Sequence, residues 1–133
     1  MNRDIKFRAY DKINKEMVYS DKEDCFYVNT KGVLFMFNNP KKDEYYKSYD
    51  VMQYTGLKDK NGVEIYCSDI VIGSAYEKDI YTGVVEFYDA SFVMKIDGSK
   101  GYYRLNKITF QTLEVIGNIY EHGFLLEKTV WKH

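Results

Sequence analysis

Apolar and polar residues alternate along most of this chain, and the alternating runs are short. Near the N-terminus Ile5, Phe7 and Ala9 alternate with Lys6, Arg8 and Tyr10. A period of two gives extended backbone one apolar face and one mostly cationic face, as a half-buried strand requires. The residue supply agrees, with three alanines against 11 Val, 10 Ile, 6 Thr, 14 Tyr and 8 Phe. Branched and aromatic side chains suit a pleated surface, so a chain of this kind folds as sheets.

The turn signals divide those runs into two groups. Met17 to Tyr19 returns from the first strand after Asp11 to Lys15, and Cys25 to Val28 pairs with Val33 to Phe37 around Asn29 to Gly32. Residues 1–48 therefore read as an N-terminal β-meander. Asn38 to Ser48 holds the only proline, Pro40, and a charge cluster without clean period, which marks a boundary between residues 48 and 49. Beyond it, Val51 to Tyr54 and Val63 to Tyr66 flank a turn ending in Asn61-Gly62, a dipeptide that accepts positive φ. Asp69 to Ala75, Tyr81 to Tyr88, Phe92 to Ile96, Tyr102 to Leu105 and Thr112 to Tyr120 follow as strands. Short strands at such intervals predict an SH3-type β-barrel over residues 49–133. Gly83 and Gly117, inside strand patterns, are expected at bulges or bends. The tail from Glu121 is expected to add a short helical turn.

Size and charge bound the function. A chain of 133 residues supports one domain or one with a small companion, and buries a core without disulfide staples. With 19 basic and 20 acidic residues the net charge is −1, so the basic excess of a dedicated nucleic-acid or anionic-membrane protein is missing. The N-terminal segment has charges where a signal peptide needs apolar residues, and the apolar run Val33 to Phe37 is too short for a span. Cys25 and Cys67 read as free thiols. The expectation is a protein of a reducing cytoplasm.

Four ordered blocks carry a resemblance. IKFRAYDKINKEMVY, VMQYTGLKDKNGVEIYCSDIV, GVVEFYDASFVMKI and LEVIGNIYEHGFLL together resemble the YopX family of small phage and prophage proteins, from Ile5 to about Glu127. The resemblance implies a mainly β protein with an SH3-type barrel in its C-terminal half, encoded by a phage or prophage, and implies no activity. Family members tend to carry an acidic residue and a glycine before Asp-Ile-Val, where Cys67 and Ser68 stand here. If the glycine serves a positive φ, Ser68 must accept that conformation or form another turn. Asp69 is expected to hold backbone amides in that turn rather than to act in catalysis.

No catalytic constellation emerges. Cys25, Cys67, His122 and His133 are scattered without metal-ligand spacing, and Cys67 stands beside Asp69, an anion that raises a thiol pKa. Pairs such as Asp69 with Glu86 or Glu64 with Glu114 arise by chance among twenty acids. Lys58 to Gly62 lacks the following helix of a phosphate loop. No cofactor is expected.

Aromatic residues mixed with cations carry more information. Lys95, Lys100, Tyr102, Tyr103, Arg104 and Lys107 form one cluster, and Arg3, Lys6, Arg8, Tyr10, Lys12 and Lys15 another. Arg8, Tyr10, Tyr102, Tyr103 and Arg104 are the candidate binding surface, while Asn61, Gly62 and Asp69 are turn residues. The favoured reading is a non-enzymatic interaction module that binds a second copy or a host or phage protein through tyrosine-rich surfaces. The alternative is a weak binder of single-stranded nucleic acid, with rings stacked on bases and cations along phosphates. An enzyme with acidic catalysis ranks third.

Overall fold

The structure is a computed structural model that describes residues 4–22, 26–36, 49–75, 79–98, 101–105 and 112–126. Cys25, the segment around Pro40, Arg3, Lys100, Lys107 and His133 lie outside them. The regular structure of the described residues is strand, joined by turns and short irregular segments, with one helical turn at 124–126. None of its helices is long and apolar enough to cross a membrane.

The chain divides into two compact units, Met1–Tyr54 and Thr55–His133. In the first, β1 (Phe7–Asp11) pairs antiparallel with β2 (Glu16–Tyr19), and its other edge takes β5 (Tyr49–Lys58). The N-terminal meander is made as two hairpins, since β3 (Phe26–Val28) and β4 (Leu34–Met36) form a sheet of their own. Ala9, Phe26 and Leu34 make the buried centre, with Phe7, Val18, Val28, Tyr49 and Val51 packed around it. Phe7, Ala9, Tyr49 and Val51 are odd positions of β1 and β5, with Ala9 opposite Val51, so the period-two pattern delivers the apolar face as expected.

The boundary expected between residues 48 and 49 lies earlier than the division between Tyr54 and Thr55. The reason is that β5 continues through both units: Tyr49 to Gln53 pair with β1, and β5 also pairs with β6 (Glu64–Tyr66) in the second.

The second unit holds β7 (Asp69–Ala75), β8 (Asp79–Tyr88), β9 (Ser91–Ile96), β10 (Tyr102–Arg104) and β11 (Glu114–Asn118). The first four make an antiparallel meander and β11 returns to pair with β7, giving the order β10-β9-β8-β7-β11. Val71, Val85, Met94, Ile96, Leu105 and Leu113 form its core with Ile65. Gly83 keeps an unbroken register with both β7 and β9, so no bulge falls there, and what it shares with Gly117 is close approach. A Cβ on Gly83 would fall on the Lys95 carbonyl oxygen, and one on Gly117 would lie 2.7 Å from His122. The β7–β11 register shifts between Val115 and Gly117, as a bulge does.

Candidate functional site

Ser68 and Asp69 lie at the turn between β6 and β7. Asp69 is buried and its Oδ2 accepts the Tyr66 amide at 2.8 Å, closing the turn that launches Ile70 and Val71 into the core. Ser68 takes φ +73° there, the left-handed conformation for which glycine is suited. The turn is stitched on both sides, the Ser68 amide donating to Val85 O at 2.7 Å and Ser68 O accepting from the Ile119 amide at 3.0 Å.

Asp59, which the sequence pattern does not single out, organises the β5–β6 loop. Its Oδ1 accepts the Asn61 and Val63 amides at 2.8 and 2.9 Å, and its Oδ2 accepts the Val115 amide of β11 at 2.9 Å. Burial pushes its pKa upward, but these donors, Val115 first, and the neighbouring Lys60 outweigh that and hold Asp59 below the ordinary carboxylate value. Asp11 is likewise held low, with burial opposed by the Asn14 and Ile13 amides, the Asn14 side chain and the Tyr49 hydroxyl. Among the described residues the buried acids Asp11, Asp59 and Asp69 thus serve backbone amides. Of the carboxylates paired on paper, Glu114 meets Lys60 at 3.3 Å. Among the described residues no group of three or more His, Cys, Asp and Glu side chains converges as a metal site would, and Cys67 is half-buried and outside any disulfide.

The two cation-aromatic clusters behave differently. In the first unit Arg8 is only 4% exposed, so its place on a solvated face is corrected. It lies opposite Met52, which is also buried; both faces of the sheet are closed at this register, and alternation alone cannot report a second covered face. Tyr10 is half-buried. Lys6 is 3.6 Å from Asp21 and stands over the Tyr54 ring, and Lys12 is 3.4 Å from Asp50. These cations are therefore largely matched where they stand.

In the second unit the alternation sorts the cluster onto two faces. Tyr103 pairs with Met94 and packs against the core, its ring 5.5 Å from that of Tyr81. Tyr102 and Arg104, on either side of it, face outward with their partners Lys95 and Val93. Register carries the same face to Val84 and Glu86 on β8 and onward to Tyr88 beside Ser91. There the Tyr88 and Tyr102 rings stack, 4.3 Å between centroids and 5° from parallel. Arg104 Nη1 donates to Ser91 Oγ at 3.3 Å. Val93 is 3% exposed although it points away from the core, so this outer face has an apolar floor of its own.

The result is a compact outer face on β8, β9 and β10. Tyr88 is 52% and Tyr102 37% exposed, with Lys95 and Arg104 open to solvent beside them. Neither cation forms an ion pair among the described residues. Tyr88 was missed because it is two strands from Tyr102. The available signal was the two-residue Asp89-Ala90 loop, with φ +52° and +63°, which fixes Tyr88 opposite Ser91 and lets the register be counted across.

Fold and site together define a small all-β protein whose distinctive surface is an aromatic and cationic sheet face. The YopX protein family matches residues 6–127, and the chain belongs to that family. Among solved structures it is similar to protein EF1440 from Enterococcus faecalis, at 28% identity and TM-score 0.56 over 94% of this chain and 99% of that one. It also shares its fold with protein yopX from Bacillus subtilis, at 22% identity and TM-score 0.64 over 91% and 95% of the two chains. A search of curated proteins found no match.

Proposed function

We propose that this chain is a non-enzymatic interaction module in which the second unit, an SH3-type barrel, presents the outer face of β8, β9 and β10 to another protein or to a second copy. The family resemblance extends the reading to a phage or prophage protein working in the cytoplasm of its bacterial host. A four-strand meander with the fifth strand returned to the first supports the barrel assignment. The observation that carries the function is the Tyr88–Tyr102 stack, solvent-exposed over a closed apolar floor and flanked by Lys95 and Arg104. Rigid tyrosines lose little entropy when fixed and offer apolar area with a polar tip, which favours them in binding surfaces.

The test compares the full chain with the double variant Tyr88→Ala and Tyr102→Ala, in sedimentation and in co-purification from infected host cells. The reading expects a self-associated or partner-bound form that the double variant loses while its far-ultraviolet circular dichroism is unchanged. A monomer with no partner, or an association indifferent to the double variant, refutes it.

The same stack favours a second reading, a weak single-strand binder with a base laid on the rings and phosphates beside Lys95 and Arg104. The matching of Lys6 and Lys12 by Asp21 and Asp50 removes much of the second cationic cluster from that account. Anisotropy of a labelled oligothymidylate at low salt tests it, with retention lost in Arg104→Ala as the expected result.

A further inference from the structure

The residues that build the outer face also form the rim of the sheet. β10 is the edge strand in the order β10-β9-β8-β7-β11. The Ile96 amide donates to Gly101 O and the Leu105 amide to Phe92 O. By alternation, Gly101, Tyr103 and Leu105 turn their backbone groups toward β9, while Tyr102 and Arg104 turn theirs away from it. Among the described residues no strand pairs with that outer rim. Tyr102 and Arg104 thus offer two things from the same positions: side chains on the exposed face, and N–H and C=O groups off the open edge.

We infer that β10 receives an extended acidic peptide as an added antiparallel strand, with an aromatic residue seated opposite Tyr102 and a carboxylate opposite Arg104. This deepens the protein-binding reading above and rests on it. In antiparallel addition the guest residues opposite Tyr102 and Arg104 exchange backbone hydrogen bonds with them, and their side chains emerge on the same face. They stand two apart in the guest. The aromatic residue meets the Tyr102–Tyr88 stack, and the carboxylate meets Arg104, with Lys95 a strand further in. Charge complementarity selects the sign of the guest. Among the described residues two cations face outward here without ion pairs, against the one acid Glu86 on the same rows, and a like charge set opposite Arg104 is disfavoured. The strand is short, so recognition concentrates on these two positions.

The probe is a capped peptide with one tyrosine and one glutamate two residues apart among threonine and valine, titrated into the full isotope-labelled chain. The expected result is saturable shifts of the Tyr102 and Arg104 amides. N-methylation of the guest tyrosine or glutamate removes an N–H aimed at β10 and should weaken binding about tenfold. N-methylation of the residue between them, whose N–H points away, should cost little. Arg104→Glu, an exposed change that leaves the core intact, should weaken the glutamate peptide by about tenfold and improve a lysine twin. Shifts of the outer face that ignore N-methylation would overturn strand addition and leave the interaction-module reading standing. Binding of oligothymidylate with no response to the acidic peptide would overturn it in favour of nucleic acid. If no probe moves the face and the Tyr88 and Tyr102 double variant changes no association, both inferences fall together.

Discussion

Replacing Asp59 tests whether a single carboxylate ties the β5–β6 loop to the last strand. Asp59 is 7% exposed and holds three amides, two in its own loop and one on Val115, 56 residues away. Asn61 and Val63 are exposed, so water replaces much of what their amides would lose, about 0.5 kcal/mol each. The Val115 amide is less accessible, and a bond to a charged acceptor there is worth about 1.5 to 2 kcal/mol. Asp59→Ala should therefore cost about 3 kcal/mol. Asp59→Asn keeps one oxygen for the loop but turns an NH2 toward the Val115 N–H, and should cost about 2 kcal/mol. Urea titration followed by circular dichroism measures both, and hydrogen exchange at Val115 reads the broken tie directly. The ionisation has a definite sign. Asp59 has a lowered pKa in the folded protein, against about 3.9 unfolded, so its stabilisation is complete above that unfolded value and is lost as pH falls through the folded one. The difference between the native chain and Asp59→Asn should accordingly shrink below about pH 4. An Asn variant as stable as the native chain at neutral pH, with Val115 still protected, would refute the reasoning.

Other consequences follow from the same geometry. Ser68→Gly and Ala90→Gly each relieve a left-handed residue at φ +73° and +63°; removing about 1 to 2 kcal/mol of strain against about 0.5 to 1 kcal/mol of added chain entropy should stabilise by about 0.5 to 1 kcal/mol and raise Tm by a few degrees. Gly117→Ala drives a methyl into His122 and disturbs the Asn118 amide donation to His122 Nδ1, costing about 2 kcal/mol, with the His122 ring protons shifting in NMR spectra. Gly83→Ala meets backbone at Lys95 and should cost about 3 kcal/mol, seen as loss of protection across β8 and β9. Asp11, also held low, adds a second acid-labile term, so Asp11→Asn should flatten the acid limb of the stability curve below about pH 4.

The periodicity carried most of the strand content because one face of each sheet is apolar and the other open, the condition under which alternation is informative. At Arg8 that condition fails. Its neighbour across the ladder, Met52, is buried on the same face, and a cation at an alternating position looks the same in sequence whether its face is wet or closed. At Tyr103 the condition holds, and counting by twos from Met94 separates it from Tyr102 and Arg104. The cluster read along the chain as one surface was two faces of one strand. The binding face itself needed pairing information, since Tyr88 and Tyr102 meet only through the registers of two successive hairpins.

The loops show why Asp59 stayed hidden while Asn61 and Gly62 did not. Asn29 to Val33 and Asp59 to Val63 have the same construction: a first side-chain oxygen accepting two amides, a glycine at φ +80° or +83°, and the first residue's amide donating to the fifth residue's carbonyl. A three-residue loop closed by a left-handed glycine needs only one such oxygen, and Asn29 supplies it as an amide. Local turn chemistry therefore accounts for either residue at the first position and gives no reason to prefer the acid. The second oxygen of Asp59 has no task within the loop; it reaches Val115 instead. What distinguishes aspartate from asparagine at these two matched positions is thus a contact between segments far apart in the chain, which no window of neighbouring residues contains.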